Sequence, residues 1–351
     1  MPLFCARIFL MKNFRKFSFE AILFFAVSVL FFSCRRDISG IRRNKDGSIE
    51  LVMADVGSLD TISGLMDLTF KQNVESISNG KIKINLQLDG VLGDEESVLN
   101  LMQSRNNSIQ LARISTASLI MHGAKKCALL ATPYTFRSLN HFWNFANSDL
   151  AKDFLDEPYE QQIGLKGIFF AEEGFRSFFT LNPIDGIGDF AGRKIRVTAD
   201  PVLREIVRAL NAEPVFFPTG ELYVAFQTGK VDGADQPLVN YSSNSFYDIA
   251  PNLILDEHTL GVTEVVITDD AWDVLTDCQR KILENAGKYT AQYIRRISKI
   301  KQENALKEIS CHGVRITEVN DKSPWKEICK DITFEYAKNY IPLYEEILSM
   351  Q

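Results

Sequence analysis

Strand and helix patterns alternate along this chain from residue 49, and that alternation restricts the possible folds more than any other feature. An apolar strand at 49–56 precedes an amphipathic helix at 60–79, in which apolar residues recur at helical spacing. Two further strands, 81–88 and 109–115, enclose an acid-rich helix at 93–107. Strand–helix–strand units in series predict right-handed crossovers and a mainly parallel sheet.

A second set of the same kind follows. Strand patterns at 193–198, 213–218 and 231–234 are separated by helical patterns at 201–211 and 220–229. Pro201 stands at the first-turn position that proline favours. Two α/β sets in series, without a repeat by identity, predict two similar lobes.

The helical pattern at 276–310 is unusually long. It runs for about 35 residues before Gly313, which is far beyond the ordinary length of a globular helix. The helix is either broken or extends along both lobes. A strand at 314–319 and an aromatic-rich helix at 323–350 finish the chain.

These patterns predict a two-lobed α/β fold with a ligand cleft between the lobes and a long helix spanning both. We expect one lobe to comprise 49–173 plus 262–301, and the other 174–261 plus 302–351.

The first 48 residues are interpreted as a targeting segment. Basic residues precede an apolar run that is too short to span a bilayer and ends at Ser33-Cys34. The pattern resembles a bacterial lipoprotein signal peptide at 1–33, with Cys34 as the acylated first residue and 34–48 as a tether. A plain signal peptide and an uncleaved anchor remain alternatives.

Composition and motifs exclude several classes of function. The net charge of −6 provides no basic excess for nucleic acid. Motifs for nucleotide cofactors, nucleophile elbows and zinc proteases are absent, so no cofactor, metal or catalytic residue is expected. The paired acids Asp269-Asp270 and Glu172-Glu173 are interpreted as solvated faces, and the chain as a binding protein rather than an enzyme.

The cysteines leave their redox state open. Cys127, Cys278, Cys311 and Cys329 form no C-x-x-C pair, so neither a zinc site nor a thioredoxin-like site is indicated. A disulfide between Cys311 and Cys329 and free thiols are both consistent with the sequence.

Two arginines are the candidates for ligand binding. Arg196 lies on the strand face opposite Ile195 and Val197, and Arg176 lies among phenylalanines. A poorly solvated guanidinium binds a carboxylate strongly. On spacing alone, an internal salt bridge or a snorkelling side chain explains each arginine better than ligand binding does.

At these residues the chain resembles the TRAP transporter substrate-binding proteins, the DctP-like family. The resemblance extends over 49–319 and rests on four segments: TPYTF at 132–136, GFR at 174–176, GRKIRV at 192–197 and EPVFFPTGELYVAFQTGKVDGADQPL at 213–238. It implies a periplasmic-binding-protein fold and a small organic acid as ligand. The implied partners are the subunits of a TRAP membrane permease, with an accessory periplasmic protein as a further option.

The resemblance also assigns roles to residues. Arg196 would hold the ligand carboxylate bidentately, Arg176 would add a second cationic contact, and Gln236 stands where the family has a ligand-binding Asn. We include the neighbouring Asp235 among the ligand-binding candidates. The resemblance implies a periplasmic protein, and the N-terminal signal pattern predicts that lipid on Cys34 anchors it to a membrane.

Departures from the family pattern imply a different ligand from the common dicarboxylates and sugar acids. Gln236 is one methylene longer than Asn, and Gly220 replaces a Ser that would cap a helix. Phe170 and Phe216 suit a more apolar acid, although packing explains both phenylalanines equally well. A sensory receptor of the same fold and a two-lobed periplasmic enzyme are the alternative functions.

Overall fold

The computed structural model describes residues 39–105 and 107–350. The predicted signal peptide, Cys34 and the first part of the tether lie outside the described residues. Within the described ranges, ten strands form one mixed sheet. They are β1 (Arg42–Arg43), β2 (Ile49–Ala54), β3 (Ile82–Gln87), β4 (Leu111–Ser115), β5 (Leu165–Thr180), β6 (Lys194–Val197), β7 (Glu213–Phe216), β8 (Gly233–Pro237), β9 (Asn252–Thr268) and β10 (Arg315–Glu318).

Helices cover the faces of this sheet, and three short 3₁₀ turns accompany them at 187–190, 219–221 and 246–248. The α-helices are α1 (Ile62–Ile77), α2 (Glu95–Gln103), α3 (Thr116–Met121), α4 (Cys127–Ala131), α5 (Leu139–Ala146), α6 (Asp149–Glu160), α7 (Pro201–Ala209), α8 (Leu222–Gln227), α9 (Leu238–Ser243), α10 (Asp269–Val274), α11 (Asp277–Cys311), α12 (Ser323–Ile328), α13 (Lys330–Ala337) and α14 (Ile341–Ser349).

The two predicted strand–helix sets are present and internally parallel. In the first set β2 pairs in parallel with β3 and β4, and in the second β6 pairs in parallel with β7 and β8. The strand order is β1-β2-β4-β9-β5-β8-β6-β7, with β3 beside β2 and β10 beside β9. The expectation of a mainly parallel sheet is therefore right for each set.

The centre of the sheet differs from that expectation. The long strands β5 and β9 pair antiparallel with each other, β9 with β4, and β5 with β8. Both strands are buried along most of their length. A strand covered on both faces loses the alternation that marks a half-exposed one, so the periodicity did not reveal these two.

The backbones of β5 and β9 approach closely at their midpoints. The register shifts between Glu172 and Phe175, where Gly174 has a φ of +96°. A Cβ on Gly261 would lie 3.2 Å from the carbonyl oxygen of Gly174, so only a small residue fits comfortably there. Two of the predicted lobe boundaries, 173/174 and 261/262, fall at this point. The division into these lobes remains a prediction.

The long helix α11 is continuous. Thr276 caps its start through a reciprocal capping box with Gln279. The helix packs against α1 of the first set, α9 of the second set and β5 between them. Gly287 permits the approach to β5, because a Cβ there would lie 2.5 Å from the Phe169 ring. The prediction of one helix along both halves is confirmed.

The C-terminal helical pattern is divided into α12, α13 and α14, not the single helix expected. Cys329 ends α12 and begins α13, and Tyr340 has φ −138° and ψ 27°, which is not helical. Pro342 then stands in the first turn of α14, where its missing N–H costs no hydrogen bond. Aromatic periodicity across the breaks concealed them.

All four cysteines that follow Cys34 are free thiols, which decides between the alternatives that the sequence left open. Cys127 and Cys329 are buried, and Cys278 and Cys311 are exposed. Among the described residues, none of the helices combines the length and the apolar character needed to cross a bilayer.

Candidate functional site

A cavity of about 490 Å³ opens where the carboxyl ends of the two parallel sets face each other. The first set contributes the segments that follow β2, β3 and β4, and the second contributes those that follow β6 and β7. Arg176, Gln236 and Asn240 also line the cavity, together with Glu173 on β5 and residues 259–263 on β9. The position agrees with the cleft predicted from sequence.

The first set forms one wall of this cavity, and the second set forms the other. Arg196 lies behind the wall of the second set. Its guanidinium is fully buried; Nε donates to the carbonyl of Phe217 at 2.8 Å, and Nη2 donates to Oγ1 of Thr219 at 2.9 Å. Phe217 and Thr219 both line the cavity. Nη1 has no hydrogen-bond partner, and no acidic side chain of the described ranges forms an ion pair with Arg196.

This arrangement leaves a buried cation without a counter-charge. Burial lowers the pKa of Arg196 to about 10, against the opposing influence of the more distant Asp235. A buried donor without a partner costs about 1–3 kcal/mol, and more when it is charged. A carboxylate entering the cavity would supply both the missing acceptor and the missing negative charge.

Arg176, in contrast, already has an anionic partner. Its Nε donates to Oδ2 of Asp235 at 2.5 Å, and the same oxygen is 3.3 Å from Nε2 of His258. Nδ1 of His258 is 2.7 Å from Oδ2 of Asp256. Arg176 still reaches the cavity lining, while Asp235 is fully buried behind it.

In the hydrogen-bonded series Arg176–Asp235–His258–Asp256, the positive and negative charges balance when His258 is protonated. Burial alone would lower its pKa, but the carboxylates of Asp256 and Asp235 outweigh burial and raise the pKa of His258 to about 9. The pKa of Asp235 is lowered despite burial, because Arg176 and His258 both stabilise its charged form.

We therefore expect a stability loss as the pH rises from about 6.5 to about 9. Protonated His258 stabilises the folded state fully below its unfolded pKa of about 6.5, and this contribution disappears above the folded pKa. The loss in free energy of unfolding should be on the order of 2–3 kcal/mol. Urea titrations at pH 6 and pH 9.5 measure it.

The matched control for this prediction is the variant His258→Gln. Glu172 and Glu264, whose pKa values burial raises to about 7 and about 8, titrate in both proteins, so their effect cancels in the difference. Equal pH dependence in wild type and variant would show that His258 is not a protonated partner of the buried carboxylates.

The other sequence-predicted residues divide between the cavity and the core. Gln236, at the end of β8, and the half-exposed Phe216 line the cavity. Phe170 packs in the core against Phe145, with ring centroids 5.8 Å apart, and is absent from the lining. The lining thus includes Arg176, Gln236 and Phe216, whereas Arg196 lies directly behind it and neither Asp235 nor Phe170 belongs to it.

A third arginine, the buried Arg113, lines the cavity on the side of the first set and was missed in the sequence. Its Nε donates to Oδ1 of Asp55 at 3.0 Å, and its Nη1 donates to Oε1 of Glu95 at 2.8 Å. Nη1 is also 3.7 Å from Oε1 of Glu173. The available signal was a charged residue inside the otherwise apolar strand β4.

The interpretation of Glu172-Glu173 as a solvated face was wrong. Both residues are buried, because β5 is covered on both faces. Glu172 accepts a hydrogen bond from the backbone N–H of Gly174 at 2.7 Å, whereas Glu173 lines the cavity.

Comparisons with known proteins agree with this architecture. The chain is 25% identical over 288 residues to the sialic acid-binding periplasmic protein SiaP of Vibrio cholerae, covering 82% of this chain and 87% of that protein. It is 24% identical over 295 residues to the C4-dicarboxylate-binding periplasmic protein DctP of Rhodobacter capsulatus, covering 83% and 87%.

The fold matches solved structures of the same kind. A TRAP periplasmic solute-binding protein from Pseudomonas putida F1, with bound D-glucuronate, superimposes with a TM-score of 0.82 at 22% identity. That match covers 86% of this chain and 97% of the other. The predicted two-lobed periplasmic-binding-protein fold is confirmed.

The family assignment rests on most of the sequence. The model of the DctP family, described as "Bacterial extracellular solute-binding protein, family 7", matches residues 53–339. It confirms the expectation of a binding protein rather than an enzyme, and the periplasmic relatives support an extracytoplasmic location. The chain belongs to the DctP family of bacterial extracellular solute-binding proteins.

Proposed function

We propose that this protein captures a small organic acid in the periplasm and delivers it to a TRAP-type membrane permease. The observation that carries the proposal is Arg196, a fully buried guanidinium with an unpartnered Nη1 and no acidic partner in the described ranges. Relatives named for binding sialic acid, C4-dicarboxylates and D-glucuronate support a carboxylate as the ligand.

The carboxylate would accept hydrogen bonds from the Arg196 guanidinium, which is itself buried. Charge-assisted hydrogen bonds of this kind are roughly twice as strong as neutral ones. Gln236 would contribute a neutral hydrogen bond from its amide, and Phe216 an apolar contact to the body of the ligand. Arg176 would add positive potential, although its direct ion pair is with Asp235.

Closure over the ligand would occur between the two predicted lobes. We place the hinge where β5 and β9 meet at Gly174 and Gly261, because neither residue has a side chain and the register of the two strands shifts there. Small-angle scattering tests this step, since ligand should decrease the radius of gyration. An unchanged radius at saturation would contradict closure.

Native mass spectrometry of the protein as purified tests the function most directly. We expect a bound small acid at one molecule per chain, and the same acid added to the empty protein should raise its melting temperature. A protein that neither retains nor responds to any of a broad panel of mono-, di- and sugar carboxylates would contradict the proposal. Uptake by a permease encoded beside the gene would separate transport from a sensory role.

We also propose a lipid anchor on Cys34. The support is the sequence pattern of basic residues, a short apolar run and Ser33-Cys34. The variant Cys34→Ser should lose acylation and move from the detergent phase to the aqueous phase in a detergent partition. Wild type and the matched variant Cys278→Ser should stay in the detergent phase. Equal partition of all three proteins would contradict the anchor.

A further inference from the structure

The two walls of the cavity differ in their balance of charge. Behind the wall formed by the segments after β6 and β7 lies the unpaired cation of Arg196, hydrogen-bonded to the lining residues Phe217 and Thr219. On the opposite wall one cation, Arg113, is shared by three carboxylates, those of Asp55, Glu95 and Glu173. The same wall also presents the acidic side chains of Asp89, Asp94 and Glu96 to the cavity.

Glu173 has the longest ion-pair distance of the three carboxylates that share Arg113. Its side chain is only 9% exposed and lines the cavity. Within the described ranges it forms one ion pair, in which Oε1 lies 3.7 Å from Nη1 of Arg113. That nitrogen already donates to Glu95 at 2.8 Å. A distance of 3.7 Å is too long for a hydrogen bond, so Glu173 lacks a donor among these neighbours.

The titration behaviour of Glu173 agrees with this geometry. Burial raises its pKa above the ordinary value, and the nearby carboxylates of Asp55 and Glu95 raise it further, while Arg113 opposes both effects. This is the behaviour of a buried carboxylate that lacks sufficient positive charge around it. A cationic group on the ligand would supply the missing positive charge.

The remaining charged groups do not cancel the asymmetry. Arg176 is balanced by Asp235, and protonated His258 is balanced by Asp256. Asp200 lines the cavity on the Arg196 side, but it caps α7 by accepting two backbone N–H bonds and forms no ion pair with Arg196 in the described ranges. The excess positive charge therefore remains at Arg196, and the excess negative charge remains around Glu173, on opposite sides of one cavity.

We infer that the ligand is a zwitterion, a small acid that also carries a cationic nitrogen with N–H donors. This inference rests on the proposed function: the carboxylate binds Arg196, and the cationic nitrogen donates to Glu173 and Glu95. A diacid would bring a second carboxylate against an acidic wall, where like charges repel in a partly desolvated site. A hydroxyl-rich acid would provide hydrogen-bond donors but no compensating charge.

Matched probes test the charge of the second group directly. Calorimetry would compare ω-amino acids of three to six carbons with the diacids and the unsubstituted monoacids of the same chain length, and with D-glucuronate. We expect the best amino acid to bind at least tenfold more tightly than its matched diacid and monoacid. The variant Glu173→Gln should reduce the preference over the monoacid toward one, whereas the exposed control Glu160→Gln should preserve it.

The outcomes separate this inference from the proposed function. Tightest binding of a diacid or of D-glucuronate, or no binding of any amino acid, would overturn the zwitterion and leave acid capture intact. An unchanged preference in Glu173→Gln would also overturn it. If acids bind equally well to wild type and Arg196→Met, the proposed function itself fails.

Discussion

Replacing Arg196 with Met is expected to weaken ligand binding about thirty-fold to several-thousand-fold. The variant leaves the ligand carboxylate in a desolvated site without its partner, which costs roughly 2–5 kcal/mol, and each 1.4 kcal/mol is tenfold in affinity. Arg196→Lys keeps the charge but loses the planar fork, so it should recover only part of the affinity. Isothermal titration calorimetry with the co-purifying acid measures all three proteins.

The same variant should leave the empty protein at least as stable as wild type. Arg196 is buried without an ion pair, so its removal strands no carboxylate and relieves the desolvation of a cation. Met fills a similar volume, although the acceptors at Phe217 and Thr219 lose their donor. The opposite result, an unstable variant that binds normally once folded, would make Arg196 a structural residue.

Arg113→Met is expected to have the largest effect on stability, a loss of about 3–5 kcal/mol. Three carboxylates, those of Asp55, Glu95 and Glu173, share this guanidinium, and all would lose their counter-charge together. Asp67, whose pKa burial and Asp55 raise well above its ordinary value, supplies no positive charge in place of the lost guanidinium. Urea unfolding measures the loss as a change in the free energy of unfolding.

The control for Arg113 is an exposed arginine. Arg208→Met removes a surface pair with Glu205 at 2.6 Å and should change stability by less than about 1 kcal/mol. Adding Asp55→Asn to the Arg113 variant should restore part of the loss, because one stranded charge is removed. A loss below about 1 kcal/mol for Arg113→Met would contradict a buried network at this wall.

Sequence patterns predicted the fold where each element has one apolar face. The strands and helices of both parallel sets and the continuous helix α11 follow from such periodicity. The central strands β5 and β9 did not, because burial on both faces removes the alternation. Helix breaks at Cys329 and Tyr340 were hidden for a related reason, since apolar spacing continues across them.

For the site, sequence spacing could not distinguish a ligand-binding arginine from an internal salt bridge. The structure separates the two candidates: Arg176 forms an ion pair with the buried Asp235, and Arg196 forms none in the described ranges. Arg176 meets Asp235 because β5 pairs with β8, and the residues next to Arg176 or Arg196 in the sequence do not reveal that pairing. Glu173 was misjudged for the same reason, because an acidic pair normally indicates a solvated surface.

The structure of the protein with its co-purifying acid bound is the measurement that tests the central claim most directly. We predict a ligand carboxylate oxygen at hydrogen-bonding distance, about 2.7–3.2 Å, from Nη1 of Arg196. The ligand should lie between the wall that contains Arg196 and the wall that contains Arg113. A carboxylate held elsewhere, with Nη1 of Arg196 making no contact to the ligand, would contradict the account.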